Sequence, residues 1–249
     1  MPLVSARVHA VANQKGGVGK TATAINLAAG LAALSRRVLL VDLDAQMNAT
    51  STLGDRHLTP SIAEVLIDGL PLEMASWPTG RADLVLVPGS TRMAGYAPGA
   101  LAALQAALHS VRRAYAHVIL DCPPSLEGVT PGALAACDEV IVPVQCEYLA
   151  LEGLTRLLAA LDALSEARAS AVQVRYLLTM FDRRNNLSRE VAAEVRAHFG
   201  HRVATAVIHR SVRVAEAPGF RRTIFEHDPQ GSAAAGYRAF AEEVAGHGT

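Results

Sequence analysis

This 249-residue chain carries 21 arginines but only two lysines, and both lysines fall in one glycine-rich run, Lys15-Gly16-Gly17-Val18-Gly19-Lys20-Thr21. A compact ammonium on a flexible stem can be aimed at phosphate oxygens inside a tight backbone cradle, where a planar guanidinium would not fit. The run therefore suits phosphate binding. Successive backbone N–H groups at a helix N-terminus cradle the phosphates, Lys20 reaches the β and γ oxygens, and the Thr21 hydroxyl ligates Mg²⁺. The ordinary G-x-x-x-x-G-K-[ST] pattern is not met, because Gln14 stands where its first glycine belongs, and Lys15 is an extra lysine four residues before the last glycine.

A second set of reactive groups follows two apolar runs. Val38-Leu39-Leu40-Val41 ends in Asp42 and Asp44, and His117-Val118-Ile119-Leu120 ends in Asp121. Phosphoryl transfer needs positioning and charge neutralisation more than covalent chemistry, and carboxylates beside a phosphate loop can hold a metal and orient water. A lone aspartate at such a place more commonly caps a helix or forms a turn. Three of them next to the loop favour the chemical role.

The elements that must position these groups alternate along the chain. Strands are expected near 7–13, 37–42, 83–87, 117–121, 139–144, 172–179 and 203–207, with helices near 20–35, 61–68, 98–114, 150–167, 187–199 and 231–245. Such alternation implies βαβ units: an α/β fold with a doubly wound, mainly parallel β-sheet flanked by helices and sites at the strand carboxyl ends. Residues 55–98, rich in Pro, Gly and Thr, are the least regular and are expected to pack as an elaboration on the sheet edge. With 51% hydrophobic residues, the chain can bury a sizeable core and reads as one domain over 1–249.

Composition narrows the function classes. Formal net charge is zero, so no global field draws the chain to nucleic acid or membrane. Cys122, Cys137 and Cys146 are odd in number and lack C-x-x-C spacing, which argues for small core residues in a reducing cytosol rather than disulfides or zinc. No signal-peptide pattern and no apolar run long enough to span a membrane is present, so a soluble, cytoplasmic protein is expected. The nine histidines are scattered. Only His198 and His201 approach ligand spacing, and surface or capping roles are expected for them.

The K-G-G-V-G-K-T loop resembles the deviant phosphate loop of the ParA/Soj family of chromosome- and plasmid-partitioning ATPases, in a wider group that includes MinD. The resemblance continues through Val41-Asp42-Leu43-Asp44-Ala45-Gln46, Asn48-Ala49-Thr50, residues 118–124 (VILDCPP), 142–153 (VPVQCEYLALEG), 179–189 (TMFDRRNNLSR) and 213–218 (RVAEAP). It implies an ATPase with a deviant P-loop NTPase fold, slow basal turnover, and ATP and Mg²⁺ as cofactors. It further implies that Asp44 positions water, that Asp121 supports Mg²⁺ directly or through water, and that Asp42 helps hold that network. Lys15 would reach the nucleotide of a second subunit, so that ATP drives homodimerisation and hydrolysis reverses it. Nucleotide-binding positions are implied at Lys15 through Ala22, at Met180, and at His209-Arg210-Ser211, where the family usually has Pro-Arg-Asn. Other departures are Ala22 in place of a third threonine, Ala45 and Met47 in place of proline and glycine, and Gly219-Phe220-Arg221-Arg222 near a usual small-residue turn.

Between residues 175 and 222 stand ten arginines and four acids, an excess that the neutral total hides. Such a stretch would neutralise DNA phosphates without reading bases. Arg189, Arg213, Arg221 and Arg222 are the leading candidates, with Arg210 turned toward the nucleotide. Sparse aromatics disfavour single-strand stacking, and without a preceding helix-turn-helix no operator-specific repression is expected.

The resulting expectation is a nucleotide-switched partitioning protein on the nucleoid, binding double-stranded DNA without sequence preference and stimulated by a ParB/Spo0J-like centromere-binding partner. A MinD-like membrane cycle would need a basic amphipathic C-terminal helix, and this chain ends in an acidic stretch short of large apolar residues. A phosphate-loop metabolic ligase or an iron–sulfur reductase is the other alternative, and the three cysteines do not suit the reductase.

Overall fold

The computed structural model describes residues 5–96, 99–148, 154–167 and 172–246. Eight strands form one sheet: β1 (Arg7–Val11), β2 (Val38–Asp42), β3 (Trp77–Pro78), β4 (Leu84–Val87), β5 (His117–Asp121), β6 (Glu139–Gln145), β7 (Gln173–Phe181) and β8 (Val203–His209). Their order is β3-β4-β2-β5-β1-β6-β7-β8, and every pairing is parallel except the two-residue edge strand β3 against β4. The central strands β2 and β5 are buried at every residue, which explains their unbroken apolar runs: a parallel sheet is covered on both faces.

One face is covered by α1 (Lys20–Ala33), α2 (Asn48–Leu53), α9 (Ile224–His227) and α10 (Ser232–Gly246), packed around Leu27, Leu31, Tyr237 and Phe240. The other carries α3 (Ile62–Leu66), α4 (Ala100–Val111), α5 (Thr130–Ala136), α6 (Thr155–Ala167) and α7 (Asn186–Phe199). Helix α8 (Val212–Glu216) follows β8 directly. The alanine-rich α1 lies close against α10, where a side chain at Gly30 would come within 2.7 Å of the Ala241 Cβ.

This arrangement sets the site. The chain leaves β1 toward one face through α1 and leaves the neighbouring β5 toward the other through α5. A crevice opens at the carboxyl ends where connections diverge in this way. The expected strands all form. The irregular stretch after Asp55 forms the β3–β4 edge with α3, whose Ser61–Glu64 capping box fixes its start. Part of the expected helix at 150–167 lies outside the described residues, as does residue 98 of the helix expected at 98–114. Helices α2, α5, α8 and α9 were not anticipated. Each is at most seven residues long, less than two turns, which leaves too little sequence for a 3.6-residue period to show.

Candidate functional site

The glycine run joins β1 to α1. Asn13 anchors its start: its amide donates to the Pro143 carbonyl of β6 (2.8 Å), and its Oδ1 accepts the Lys15 N–H (3.0 Å). Thr179 of β7 anchors the middle, its hydroxyl donating to the Val18 carbonyl at 2.9 Å. Gly17 and Gly19 have φ of 76° and 91°, the left-handed region that glycine enters without strain. Gly16 has no such requirement, and a side chain there would meet nothing within 4 Å. Gly19 caps α1 with no side-chain acceptor, so the first-turn N–H groups of Lys20, Thr21 and Ala22 are directed to whatever occupies the loop.

Lys20 is buried, and its ammonium donates to the Lys15 carbonyl at 2.9 Å. Burial lowers its pKa, while the nearby charges of Asp121 and Asp44 oppose that shift. Lys15 is half-buried, and among the described residues its ammonium has no hydrogen-bond or ion-pair partner.

The three aspartates differ in how their oxygens are used. Asp42 is fully buried and satisfied: Oδ2 accepts the Thr50 N–H (2.8 Å) and hydroxyl (2.6 Å), and Oδ1 accepts the Asp44 N–H (3.1 Å). Burial raises its pKa to about 6 against these bonds. Asp44, 8% exposed, accepts the Gln46 N–H at 2.9 Å and begins a turn through Met47. Met47 has φ of 58°, a left-handed conformation that costs a non-glycine residue about 1 kcal/mol. Asp121, level with Asp42 across the β2–β5 ladder, has among the described residues no hydrogen-bond partner of ordinary geometry on either oxygen. Burial and the Asp42 charge push its pKa well up, eased by Thr21 and Lys20.

An orphaned buried carboxylate beside a threonine hydroxyl and a lysine suits a hard divalent cation, which prefers oxygen ligands. Among the described residues no three or more His, Cys, Asp and Glu side chains group as a metal site. A magnesium ion here would therefore depend on Thr21, Asp121, water and phosphate oxygens, its habit in phosphoryl-transfer sites.

A cavity of about 250 Å³ opens beside the first turn of α1. Gly19, Ala22, Met180, His209 and Ser211 line it, so the structure gathers most of the base-contacting positions expected from sequence. Met180 has φ of 52°. The Ser211 hydroxyl accepts the Arg213 N–H (3.2 Å) as the cap of α8. Arg210 does not line the cavity. It is exposed and donates to Glu147 Oε1 at 2.8 Å. The apolar wall from Ile208, Val214 and Tyr237 went unseen in the sequence, because these residues read as ordinary core.

The basic stretch is not one surface. Arg175 is buried at the other end of the sheet against Glu139 and Glu243, and Arg202 lies over the rings of Tyr176 and Phe199. A window of sequence sums charges that parallel strands send to opposite ends. Arg189, Arg213, Arg221 and Arg222 are exposed, and all lie in segments that follow β7 or β8 at the carboxyl ends. Arg189 donates to Asn186, Arg213 pairs with Glu216 at 2.9 Å, and Arg222 lines a second cavity with Thr21 and Asn48. His198 and His201 are exposed, as expected, and His9 and His117 are buried.

A mainly parallel, doubly wound sheet with this loop at its switch point has the architecture of phosphate-loop nucleotide hydrolases. A family model described as an AAA domain matches residues 6–174. The chain is 48% identical over 239 residues to the chromosome-partitioning ATPase Soj of Thermus thermophilus, with 94% of each chain covered. It is 42% identical to the chromosome partitioning protein ParA of Caulobacter vibrioides, covering 96% of this chain and 93% of that one. Among solved structures, cobyrinic acid a,c-diamide synthase from Mycobacterium smegmatis with bound ADP and magnesium superposes with a TM-score of 0.84 at 33% identity, covering 97% and 95% of the two chains. The chain belongs to the ParA/Soj family of chromosome-partitioning ATPases.

Proposed function

We propose that this chain, one domain over residues 1–249, is a DNA-partitioning ATPase whose nucleotide state switches a homodimer on and off double-stranded DNA. The observation that carries the reading is the likeness to Soj along 94% of the chain. The charged groups at the carboxyl ends support it.

The backbone N–H groups of residues 16–21 hold the phosphates of ATP, and Lys20 exchanges the Lys15 carbonyl for a β/γ oxygen. Magnesium, held by Thr21 and Asp121, supplies charge neutralisation at the phosphates. Asp44 orients the attacking water, and Asp42 fixes the backbone of Asp44 through its bond to that N–H. Gly19, Ala22, Met180, His209 and Ser211 enclose the base. The free ammonium of Lys15 reaches the second subunit's nucleotide, so the dimer forms with ATP and dissolves after hydrolysis. Arg189, Arg213, Arg221 and Arg222 then meet DNA phosphates, with a ParB/Spo0J-like protein as the hydrolysis activator. Among the described residues no helix is long and apolar enough to cross a membrane, and the proposed place of action is the cytoplasm at the nucleoid.

The test is binding to unrelated duplex DNAs without nucleotide, with ADP and with ATP, at low and raised salt, alongside an Arg189→Ala/Arg213→Ala double variant. ATP-dependent, sequence-blind, salt-sensitive binding that weakens in the variant is expected. Absence of binding in every state would sink the DNA reading, and ATP turnover that requires a small-molecule substrate would favour the ligase alternative instead.

A further inference from the structure

We propose that Arg81, in the turn between β3 and β4, is the positioning residue for the Arg221–Arg222 turn. Its functional meaning rests on the DNA-binding reading above, whereas its geometry stands alone. The Arg81 guanidinium uses all three nitrogens. Nε donates to Glu226 Oε1 (2.9 Å), Nη2 to Glu226 Oε2 (2.9 Å) and to the Arg221 carbonyl (3.0 Å), and Nη1 to the Thr79 carbonyl (3.3 Å). Glu226 in turn accepts the Thr223 N–H (2.7 Å) and hydroxyl (3.0 Å) in the capping box of α9. One guanidinium and one carboxylate thus close a ring around residues 221–226 from a site about 140 residues away in the chain.

The turn needs such a hold. Arg221 has φ of 53°, a conformation that a side-chain-bearing residue keeps only when its surroundings impose it. Two local bonds contribute, from Arg221 N–H to the Pro218 carbonyl (3.0 Å) and from Arg222 N–H to the Ala217 carbonyl (3.1 Å). The bond from Arg81 to the Arg221 carbonyl is the long-range one. An isolated surface ion pair is worth little, but a bidentate fork with additional donors is the exception. Arg81 is 20% exposed and four of its five N–H donors are engaged, so it is not itself a phosphate contact. Arg221 and Arg222 remain exposed, and a backbone fixed before binding lowers the ordering cost of placing them on phosphates. Asp55, 4.0 Å from the Arg221 guanidinium, is the carboxylate that a DNA phosphate would displace.

The experiment compares Arg81→Ala, Arg81→Lys and an Arg221→Ala/Arg222→Ala double variant in the full chain. First, trypsin cleavage after Arg221 and Arg222 is followed in the nucleotide-free protein. Arg81→Ala is expected to speed these two cuts roughly tenfold while other arginyl bonds and ATP turnover stay unchanged and the thermal midpoint falls only slightly. Arg81→Lys, which restores the charge but not the fork, should fall between. Second, DNA affinity with ATP is measured against salt. Arg81→Ala should weaken binding about three- to tenfold with an unchanged log–log salt slope, whereas the double variant should flatten the slope by about 2. Unchanged cleavage at Arg221 and Arg222 overturns the proposal, and so does a slope that falls by about one in Arg81→Ala, which would make Arg81 a phosphate contact. Faster cleavage in a protein that binds no DNA upholds the positioning role and sinks the DNA reading.

Discussion

The two ends of the sheet bury charge to a similar depth and use it in opposite ways. At the carboxyl ends, among the described residues, Asp121 has no hydrogen-bond partner of ordinary geometry, the Lys15 ammonium has no partner, and Lys20 rests on a carbonyl of its own loop. At the amino ends Glu139 accepts from His9 Nδ1 (2.9 Å) and Arg175 Nε (2.9 Å), with Arg7 3.5 Å away. His9 Nε2 meets His117 Nδ1 at 3.0 Å, and Arg175 continues to Glu243 at 3.1 Å. Burial alone therefore does not mark a site in this molecule. An unpartnered charge does: of the buried side chains without a hydrogen-bond partner among the described residues, Thr130 and Tyr176 are neutral hydroxyls and Asp121 alone is a carboxylate, and a buried charge is costly to keep unless something else supplies a partner.

That contrast can be broken most directly at Glu139. Glu139→Ala leaves Arg175 with Glu243 as its remaining carboxylate and removes the acceptor of His9 Nδ1, and is expected to cost about 3 kcal/mol in urea unfolding, with nucleotide affinity of the folded protein unchanged. Asp121→Asn should do the reverse. Removing an orphaned charge level with Asp42 is expected to stabilise the nucleotide-free protein by about 1–2 kcal/mol while Mg²⁺-dependent turnover falls at least tenfold. If Asp121→Asn destabilises, the carboxyl end is as internally complete as the amino end, and the comparison fails.

Acid sharpens the same comparison with a smaller effect. Burial, His9 and the nearby arginines hold the His117 pKa at about 4, so the fold favours its neutral form. That contribution is complete above pH 6.5 and is lost as pH falls from there toward 4. For Glu139 burial raises the pKa, but the His9 bond and the Arg175 and Arg7 charges prevail and set it at about 2. Its contribution is present above pH 4.5 and is lost between there and 2. The urea midpoint should decline through both windows, and His117→Phe should flatten the upper one.

The sequence makes the carboxyl end far more legible than the amino end. The phosphate loop is contiguous, and Asp42, Asp44 and Asp121 each close an apolar run, so local pattern reveals them. The His9–His117–Glu139 network joins residues 108 and 130 positions apart. Nothing within a strand announces that partner, and the histidines read only as scattered until the ladder brings His9 and His117 level. The hold of Arg81 on Arg221 was hidden for the same reason, inside the least regular stretch of the chain. Arg210 shows the limit of carrying a motif forward: the position is where it was expected, but its side chain turns to Glu147.

The bond from the Lys20 ammonium to the Lys15 carbonyl has a consequence for timing. On the proposed reading, phosphate arrival would be an exchange of acceptors rather than an addition, so its enthalpy would be a difference between two similar bonds and its selectivity would come from charge. The acceptor given up belongs to the residue that carries the other ammonium. A ligand that captures the inner lysine would leave the outer one held on the loop by its N–H to Asn13 alone, so one exchange would couple occupancy of the interior to the surface lysine.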